Sequence, residues 1–132
     1  MVSPLRLLAV LFLLCACSGA SIAPVPGPQA ERGRLLFLAS CTACHSLEGE
    51  PGGGPSLKGL PGSRIEVRDA TGKLQILTAD DAYLIRAIIA PQVELREPWP
   101  ASMPTWNGSP EELQDLLAFL KEHFSTQSVT AP

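Results

Sequence analysis

The feature that most constrains this chain is the segment SCTACHSL at positions 40–47, which contains Cys41, Cys44 and His45 in the order C-x-x-C-H. A thioredoxin-type redox pair needs a βαβ pattern beside the cysteines, and the chain shows none. A zinc site needs four ligands, and a disulfide across so short a loop would stabilise little and leave His45 without a role. Haem attachment uses all three residues, because the thiols form thioethers with the haem vinyl groups and the histidine ligates the iron. The motif therefore predicts one haem c, bound covalently through Cys41 and Cys44.

The composition agrees with a small domain built around a cofactor. A chain of 132 residues with 45% hydrophobic and 17% charged residues is typical of one compact domain. Only 5% of the residues are aromatic, so a covalent haem could supply hydrophobic volume that the side chains lack. The formal charge of −3 argues against a nucleic-acid partner and favours partners with basic docking faces.

The first twenty residues, MVSPLRLLAVLFLLCACSGA, predict export. Arg6 forms a minimal positive region, and the apolar run at 7–14 is too short to span a bilayer as a helix. The LCAC sequence at 14–17 resembles a bacterial lipoprotein box, which predicts cleavage before Cys17 and lipidation of that cysteine. We therefore expect a protein of the bacterial periplasm or cell envelope that is lipid-anchored to a membrane.

Four segments follow from this interpretation. Residues 1–16 are predicted to be a lipoprotein signal peptide, and 17–28 a linker rich in proline and glycine. Residues 29–125 form the predicted domain, and 126–132 a flexible tail. The alternative is an ordinary signal peptide, cut near positions 19–20.

Hydrophobic periodicity predicts a mainly helical domain with a short β-hairpin insertion. A helix is expected over 30–40, leading directly into the cysteines. Alternating apolar residues over 65–76, with a turn around 69–73, predict the hairpin. A second helix is expected to begin at Thr78 as N-cap and to stop at Pro91.

The terminal helix has the clearest sequence signals. Ser109 is a predicted N-cap, Pro110 occupies the first helical position, and Glu112 completes a capping box. The apolar stripe of this helix contains Leu113, Leu116, Leu117 and Leu120, with Phe119 beside it.

Met103 is the candidate for a second axial ligand of the iron. It lies in REPWPASMPTW, where Pro98, Pro100 and Pro104 restrict the backbone on both sides and can hold a thioether in place. The alternative is that Met103 fills a gap in the core, as most methionines do. His123 is a weaker competitor, because a cationic side chain near the end of a helix is common without any ligand role.

From about Ala30 to Phe124, the chain resembles the class I c-type cytochromes. The resemblance rests on CTACH, on GPSLKGL at 54–60, on SMP at 102–104, and on the placement of Gly33, Phe37 and Phe119. The order of motifs is more closely similar to the cytochrome c domain fused to subunit II of bacterial haem-copper oxidases of the caa3 type. The resemblance implies an all-α cytochrome c fold, with three or more helices around one covalently bound haem.

The resemblance also implies roles for further residues. The Pro55 carbonyl would accept a hydrogen bond from the ring of His45, although a plain loop proline is the alternative. Gly33, Phe37 and Phe119 would form the crossing of the first and last helices. Three aromatic residues are candidates to line the haem or to donate to a propionate, with plain core packing equally open: Tyr83, Trp99 and Trp106.

The expected function is one-electron transfer rather than catalysis. The resemblance to an oxidase domain implies respiratory partners, such as a terminal oxidase, a cytochrome bc-type complex or a periplasmic dehydrogenase. Met/His ligation would favour a fairly high reduction potential. One alternative is a haem sensor or enzyme that binds a diatomic gas or peroxide at an open iron position. Another is a subunit that conducts electrons within a stable oxidoreductase complex.

Overall fold

A computed structural model describes residues 27–100 and 102–125, so the predicted signal peptide, Cys17 and the predicted tail lie outside the described residues. The predicted combination of helices with a small β insertion is confirmed. No helix within the described ranges has the length and apolar character needed to cross a bilayer. The elements in chain order are α1 (Pro28–Ser40), β1 (Arg64–Asp69), β2 (Leu74–Thr78), α2 (Asp81–Ile89), β3 (Glu94–Leu95) and α3 (Pro110–Ser125).

Helix α1 begins two residues earlier than the sequence pattern indicates. Pro28 takes the first helical position after Gly27, where a missing N–H costs nothing and the fixed φ of proline already suits a helix. The helix ends where Cys41 donates its backbone N–H to the Phe37 carbonyl, at 2.8 Å. The haem motif therefore starts in the capping position of α1.

The expected crossing of the first and last helices is confirmed. Gly33 lies against the backbone of Asp115 in α3, and the Phe37 and Phe119 rings pack with centroids 5.3 Å apart. Arg32 donates to both carboxylate oxygens of Asp115, from Nε at 2.7 Å and from Nη2 at 2.8 Å. A close backbone approach and a two-point ion pair thus join α1 to α3.

The predicted hairpin is present, and a third strand extends it. Strand β1 pairs antiparallel with β2 on one side and with β3 on the other, giving the order β2-β1-β3. In the turn, the Asp69 carboxylate accepts from the backbone N–H of Thr71 and of Lys73, at 2.9 and 3.1 Å. Sequence reasoning missed β3, because a strand of two residues carries no periodic pattern.

The predicted N-cap of α2 is wrong. Thr78 remains paired with Arg64 at the end of β2, and Asp80 caps the helix by accepting from the Tyr83 N–H at 2.8 Å. Both residue types suit an N-cap, so the strand pairing decides between them. At α3 the predicted capping box is confirmed. The Glu112 carboxylate accepts from the Ser109 backbone N–H at 2.7 Å, and the Ser109 hydroxyl accepts from the Glu112 backbone N–H at 3.2 Å.

Within the described part of the chain, the buried apolar side chains form two clusters. The first joins α1 to α3 and contains Ala30, Phe37, Ile88, Leu116, Phe119, Leu120 and Phe124. The second packs the sheet against α2 and contains Leu60, Ile65, Val67, Ala79, Tyr83, Leu84 and Leu117. Helix α3 contributes to both clusters and so connects them.

Candidate haem-binding site

An apolar cavity of about 440 Å³ opens beside the end of α1. Its walls come from the haem motif, the loop at 53–61, one face of α2, the segment at 91–107 and α3. Elements distant in sequence therefore converge on one space. All eight residues predicted to bind the cofactor line it: Cys41, Cys44, His45, Pro55, Tyr83, Trp99, Met103 and Trp106.

The C-x-x-C-H segment forms one turn immediately after α1. The backbone N–H groups of Cys44 and His45 both bond the Cys41 carbonyl, at 3.1 and 2.9 Å. This turn brings both thiols and the imidazole to the same cavity. Both cysteines are free thiols, with Cys41 half-buried and Cys44 exposed.

The Cys41 thiol is poorly suited to thiolate chemistry. Burial, with a smaller effect from the neighbouring Cys44, raises the pKa of Cys41 to about 11. Redox-active and metal-binding cysteines instead have lowered pKa values in electropositive surroundings. The environment of Cys41 thus disfavours a reactive thiolate and is compatible with a thioether.

The ring of His45 is buried and held in one orientation. Its Nδ1 lies 3.0 Å from the Pro55 carbonyl oxygen, which can only accept, so Nδ1 carries the proton and Nε2 keeps its lone pair. Nε2 has no hydrogen-bond partner among the described residues. Burial lowers the pKa of His45, against the opposing effect of the Pro55 bond and with a further lowering by Arg96. A neutral imidazole with Nε2 free is the form that binds a metal.

Glycines at 53 and 54 shape the wall beside the motif. Gly54 begins the GPSLKGL motif, but sequence reasoning predicted no contact with His45 for it, and it predicted no role for Gly53. A Cβ on Gly54 would lie 2.6 Å from Cε1 of His45, and one on Gly53 would lie 3.3 Å from Sγ of Cys44. In the sequence, a run of three glycines predicts only a flexible loop. Its close contact with the side chains of Cys44 and His45 becomes apparent only in the fold.

Met103 is half-buried, lines the cavity and packs against the cluster between α1 and α3. Gln92 donates from Nε2 to the Met103 carbonyl at 3.0 Å, a contact that the sequence did not indicate. The Glu97–Pro98 peptide bond in the same segment is cis. His123, the competing ligand, does not line the cavity, and its Nε2 lies 2.7 Å from the Leu47 carbonyl oxygen.

The three candidate aromatic residues differ in their surroundings. Tyr83 is buried in the cluster around α2, and burial is the main cause that raises its pKa. Trp99 is half-buried in the segment that leads to Met103. The Trp106 indole Nε1 is a buried donor without a hydrogen-bond partner among the described residues, and its ring lines the cavity.

These residues fit a covalent haem. Two free thiols, a neutral imidazole and a thioether line one apolar space, which matches the donors and the surface of that cofactor. The unpaired indole N–H adds a structural reason, because buried donors in native proteins almost always have a partner. Among the described residues, the cavity is also lined by one guanidinium group, that of Arg96, and one carboxylate, that of Glu94. Sequence reasoning predicted a site role for neither residue.

Comparisons with known proteins agree with this geometry. The sequence profile of the family described as "Cytochrome c" matches residues 30–124. A cytochrome c-553-like protein of Synechocystis sp. (strain ATCC 27184 / PCC 6803 / Kazusa) is 28% identical over 93 residues, covering 70% of this chain and 68% of that protein. Cytochrome c2 of Rhodoplanes tepidamans is 32% identical over 90 residues, covering 61% of this chain and 88% of that protein.

Proposed function

Because the chain belongs to the cytochrome c family and carries one covalent haem c, we propose that it transfers single electrons between respiratory partners at a membrane surface, and that His45 and Met103 would ligate the iron. The observation that carries the proposal is that both side chains line the same apolar cavity as Cys41 and Cys44. When bound, the haem supplies an iron centre that takes up or releases one electron between Fe(II) and Fe(III).

The residues around the cavity would each have a defined part in this function. The Pro55 carbonyl orients His45 and increases its donor strength through the bond to Nδ1. The prolines around Met103 and the hydrogen bond from Gln92 restrain the loop. A restrained loop would hold the thioether of Met103 in place, which favours binding of the iron by this weak ligand. The apolar walls would limit the access of water to the haem. A less polar environment disfavours the more charged ferric state and so raises the reduction potential.

Optical spectroscopy tests the assignment of Met103. The mature protein is produced with a c-type haem maturation system, beside Met103→Ala and the control Ser102→Ala, which changes the adjacent exposed residue. We expect the oxidised wild type and the control to show the weak far-red band of iron–thioether ligation. We also expect neither protein to bind carbon monoxide when reduced, whereas Met103→Ala loses the band and binds the gas. Ready binding of carbon monoxide by the wild type would refute ligation by Met103 and favour the sensor or enzyme alternative.

The membrane location is the second part of the proposal. It is supported by the apolar run and the LCAC sequence at 14–17, and Cys17 lies outside the described residues. Two or more acyl chains anchor a protein stably, whereas one chain does not. Labelling with radioactive palmitate should mark the wild type and Cys15→Ser, while Cys17→Ser should lose both the label and the membrane fraction. Label on Cys17→Ser would contradict the anchor.

The respiratory role is supported by the order of the motifs, which resembles the cytochrome c domain fused to subunit II of caa3-type haem-copper oxidases. A terminal oxidase is therefore the first partner to test, ahead of a cytochrome bc-type complex or a periplasmic dehydrogenase. The test is the rate at which membranes containing such an oxidase reoxidise the reduced protein, with and without cyanide. A rate unaffected by cyanide would argue against oxidase delivery.

A further inference from the structure

Among the described residues, two side chains of opposite charge line the cavity, and only one of them is compensated by an ion pair. Glu94 accepts from Arg86, with Nη2 3.2 Å from each carboxylate oxygen and Nε 3.3 Å from Oε2. Arg96 forms no ion pair with a carboxylate among the described residues. The cavity wall therefore carries one uncompensated positive charge in otherwise apolar surroundings.

Arg96 is half-buried and uses little of its hydrogen-bonding capacity. Its Nη1 donates to the Ser56 carbonyl at 3.1 Å, which links the segment before Met103 to the loop that holds His45. A guanidinium carries five N–H donors, so four of them have no partner among the described residues. A partly buried guanidinium is stabilised best by a carboxylate, which can accept two of these donors at once.

The charge of Arg96 acts on Tyr83, which lies in α2 on another part of the cavity wall. It opposes the rise in the pKa of Tyr83 that burial causes. The other charges that act on Tyr83 are those of Glu94 and Arg86, which pair with each other. The positive charge of Arg96 therefore acts on a group that lines the cavity, and not only on groups at the surface.

We infer that Arg96 is the residue that binds a propionate of the haem. The thioethers at Cys41 and Cys44 use the neutral vinyl groups, and the propionates are the anionic substituents of the haem. An arginine with four free donors on an apolar wall is complementary to such a carboxylate. Arg96 is thus a positioning residue that sets where the carboxylate side of the haem lies. This inference rests on the covalent haem and does not depend on ligation by Met103.

The same contact affects the reduction potential. A guanidinium that compensates a propionate removes negative charge from near the iron, and negative charge there favours the ferric state. Loss of the Arg96 charge should therefore lower the reduction potential. Lysine at position 96 keeps the charge but not the two-point geometry, so it should restore part of the effect.

The test uses the haem-loaded protein and compares Arg96→Gln and Arg96→Lys with Arg68→Gln. Arg68 also carries one positive charge, but it pairs with Glu97 at the surface and does not line the cavity. The measurements are the resonance Raman bending bands of the propionates and the reduction potential. We expect Arg96→Gln to shift one propionate band and to lower the reduction potential. Arg96→Lys should change both by a smaller amount, and Arg68→Gln should change neither the propionate bands nor the reduction potential.

Two results would overturn the inference. The first is an Arg96→Gln protein whose propionate bands and potential match those of Arg68→Gln. The second needs no variant and applies even if Arg96→Gln fails to acquire haem: a crystal structure of the haem-loaded wild type in which the guanidinium does not contact a propionate. Carbon monoxide binding by the wild type would refute the role of Met103 while leaving both measurements on Arg96 valid, so the two proposals can fail separately.

Discussion

The α-carbon of Gly33 lies against the backbone carbonyl of Asp115, so that no side chain fits between α1 and α3 at this point. An ideal Cβ on Gly33 would overlap the carbonyl oxygen and would lie 2.5 Å from the carbonyl carbon and 2.8 Å from Cβ of Phe119. The atoms in the way belong mainly to the backbone of α3, so they cannot be relieved by a change of rotamer. The contact between the first and last helices therefore requires glycine.

Gly33→Ala should be strongly destabilising. The added methyl group has to separate α1 from α3, and overpacking of this kind typically costs about 1–3 kcal/mol or more. Gly27→Ala is the matched control, because a Cβ there meets nothing within 4 Å. Denaturant unfolding of both haem-loaded variants measures the difference. Equal free energies of unfolding for the two variants would show that the helix crossing tolerates a side chain.

The ion pair beside this crossing should make stability depend on pH. Hydrogen bonds from Arg32 hold the pKa of Asp115 below its usual value. A carboxyl with a lower pKa in the folded than in the unfolded state stabilises the fold at pH values above its unfolded pKa, about 4. That contribution is lost as the pH falls through the folded pKa. Asp115→Asn should therefore be less stable than the wild type at neutral pH, and the difference should shrink on acidification below about pH 4.

The measurement for Asp115→Asn is urea unfolding at a series of pH values. Glu31→Gln is the comparison variant, since it breaks the bonds from Arg34 within α1 and leaves the contact between helices intact. It should change the free energy of unfolding less than Asp115→Asn at neutral pH. A difference between Asp115→Asn and the wild type that stays constant from neutral pH to about pH 2 would contradict the role assigned to the carboxylate.

Gly54 should control the orientation of His45. A Cβ at this position would lie 2.6 Å from Cε1, 3.0 Å from Nε2 and 3.2 Å from Nδ1 of the imidazole, so Gly54→Ala should tilt the ring and disturb its bond to Pro55. We expect altered absorption bands of the oxidised protein and a higher reduction potential, because a weakened Nδ1 bond makes His45 a weaker donor and so disfavours the ferric state. Gly53→Ala, with its nearest contact at 3.3 Å, should change the spectrum less. Identical spectra for the two variants would exclude this effect.

Features encoded by neighbouring residues could be predicted from the sequence. The C-x-x-C-H turn and the capping box of Ser109 and Glu112 depend on contacts within a few positions. The predicted N-cap of α2 was wrong because Thr78 and Asp80 are both acceptable N-cap residues. Only the pairing of β2 with β1 excludes Thr78. The choice depended on a contact with Arg64, fourteen positions before Thr78.

Arg96 and Gly54 were missed for a related physical reason. An arginine in an irregular segment and a glycine in a glycine-rich loop each have a plain local explanation, as a solvated charge and as a flexible turn. Their significance comes from partners elsewhere in the fold. Arg96 bonds the carbonyl of Ser56, forty positions away, and Gly54 lies against the ring of His45. Such contacts follow from the packing of the loops around the cavity, which no local pattern encodes.

The indole of Trp106 should report whether the bound haem satisfies a buried donor. Its Nε1 has no partner among the described residues, and an unpaired buried donor costs about 1–3 kcal/mol. We expect the haem-loaded protein to supply the acceptor, so that Trp106→Phe lowers the free energy of unfolding more than Trp99→Phe, which changes a half-buried indole in the same wall. Unfolding of the two variants, with hydrogen exchange of the wild-type indole N–H as an independent measurement, tests this. A rapidly exchanging Trp106 N–H, with no greater loss of stability in Trp106→Phe than in Trp99→Phe, would mean that the donor stays unpaired when haem is bound.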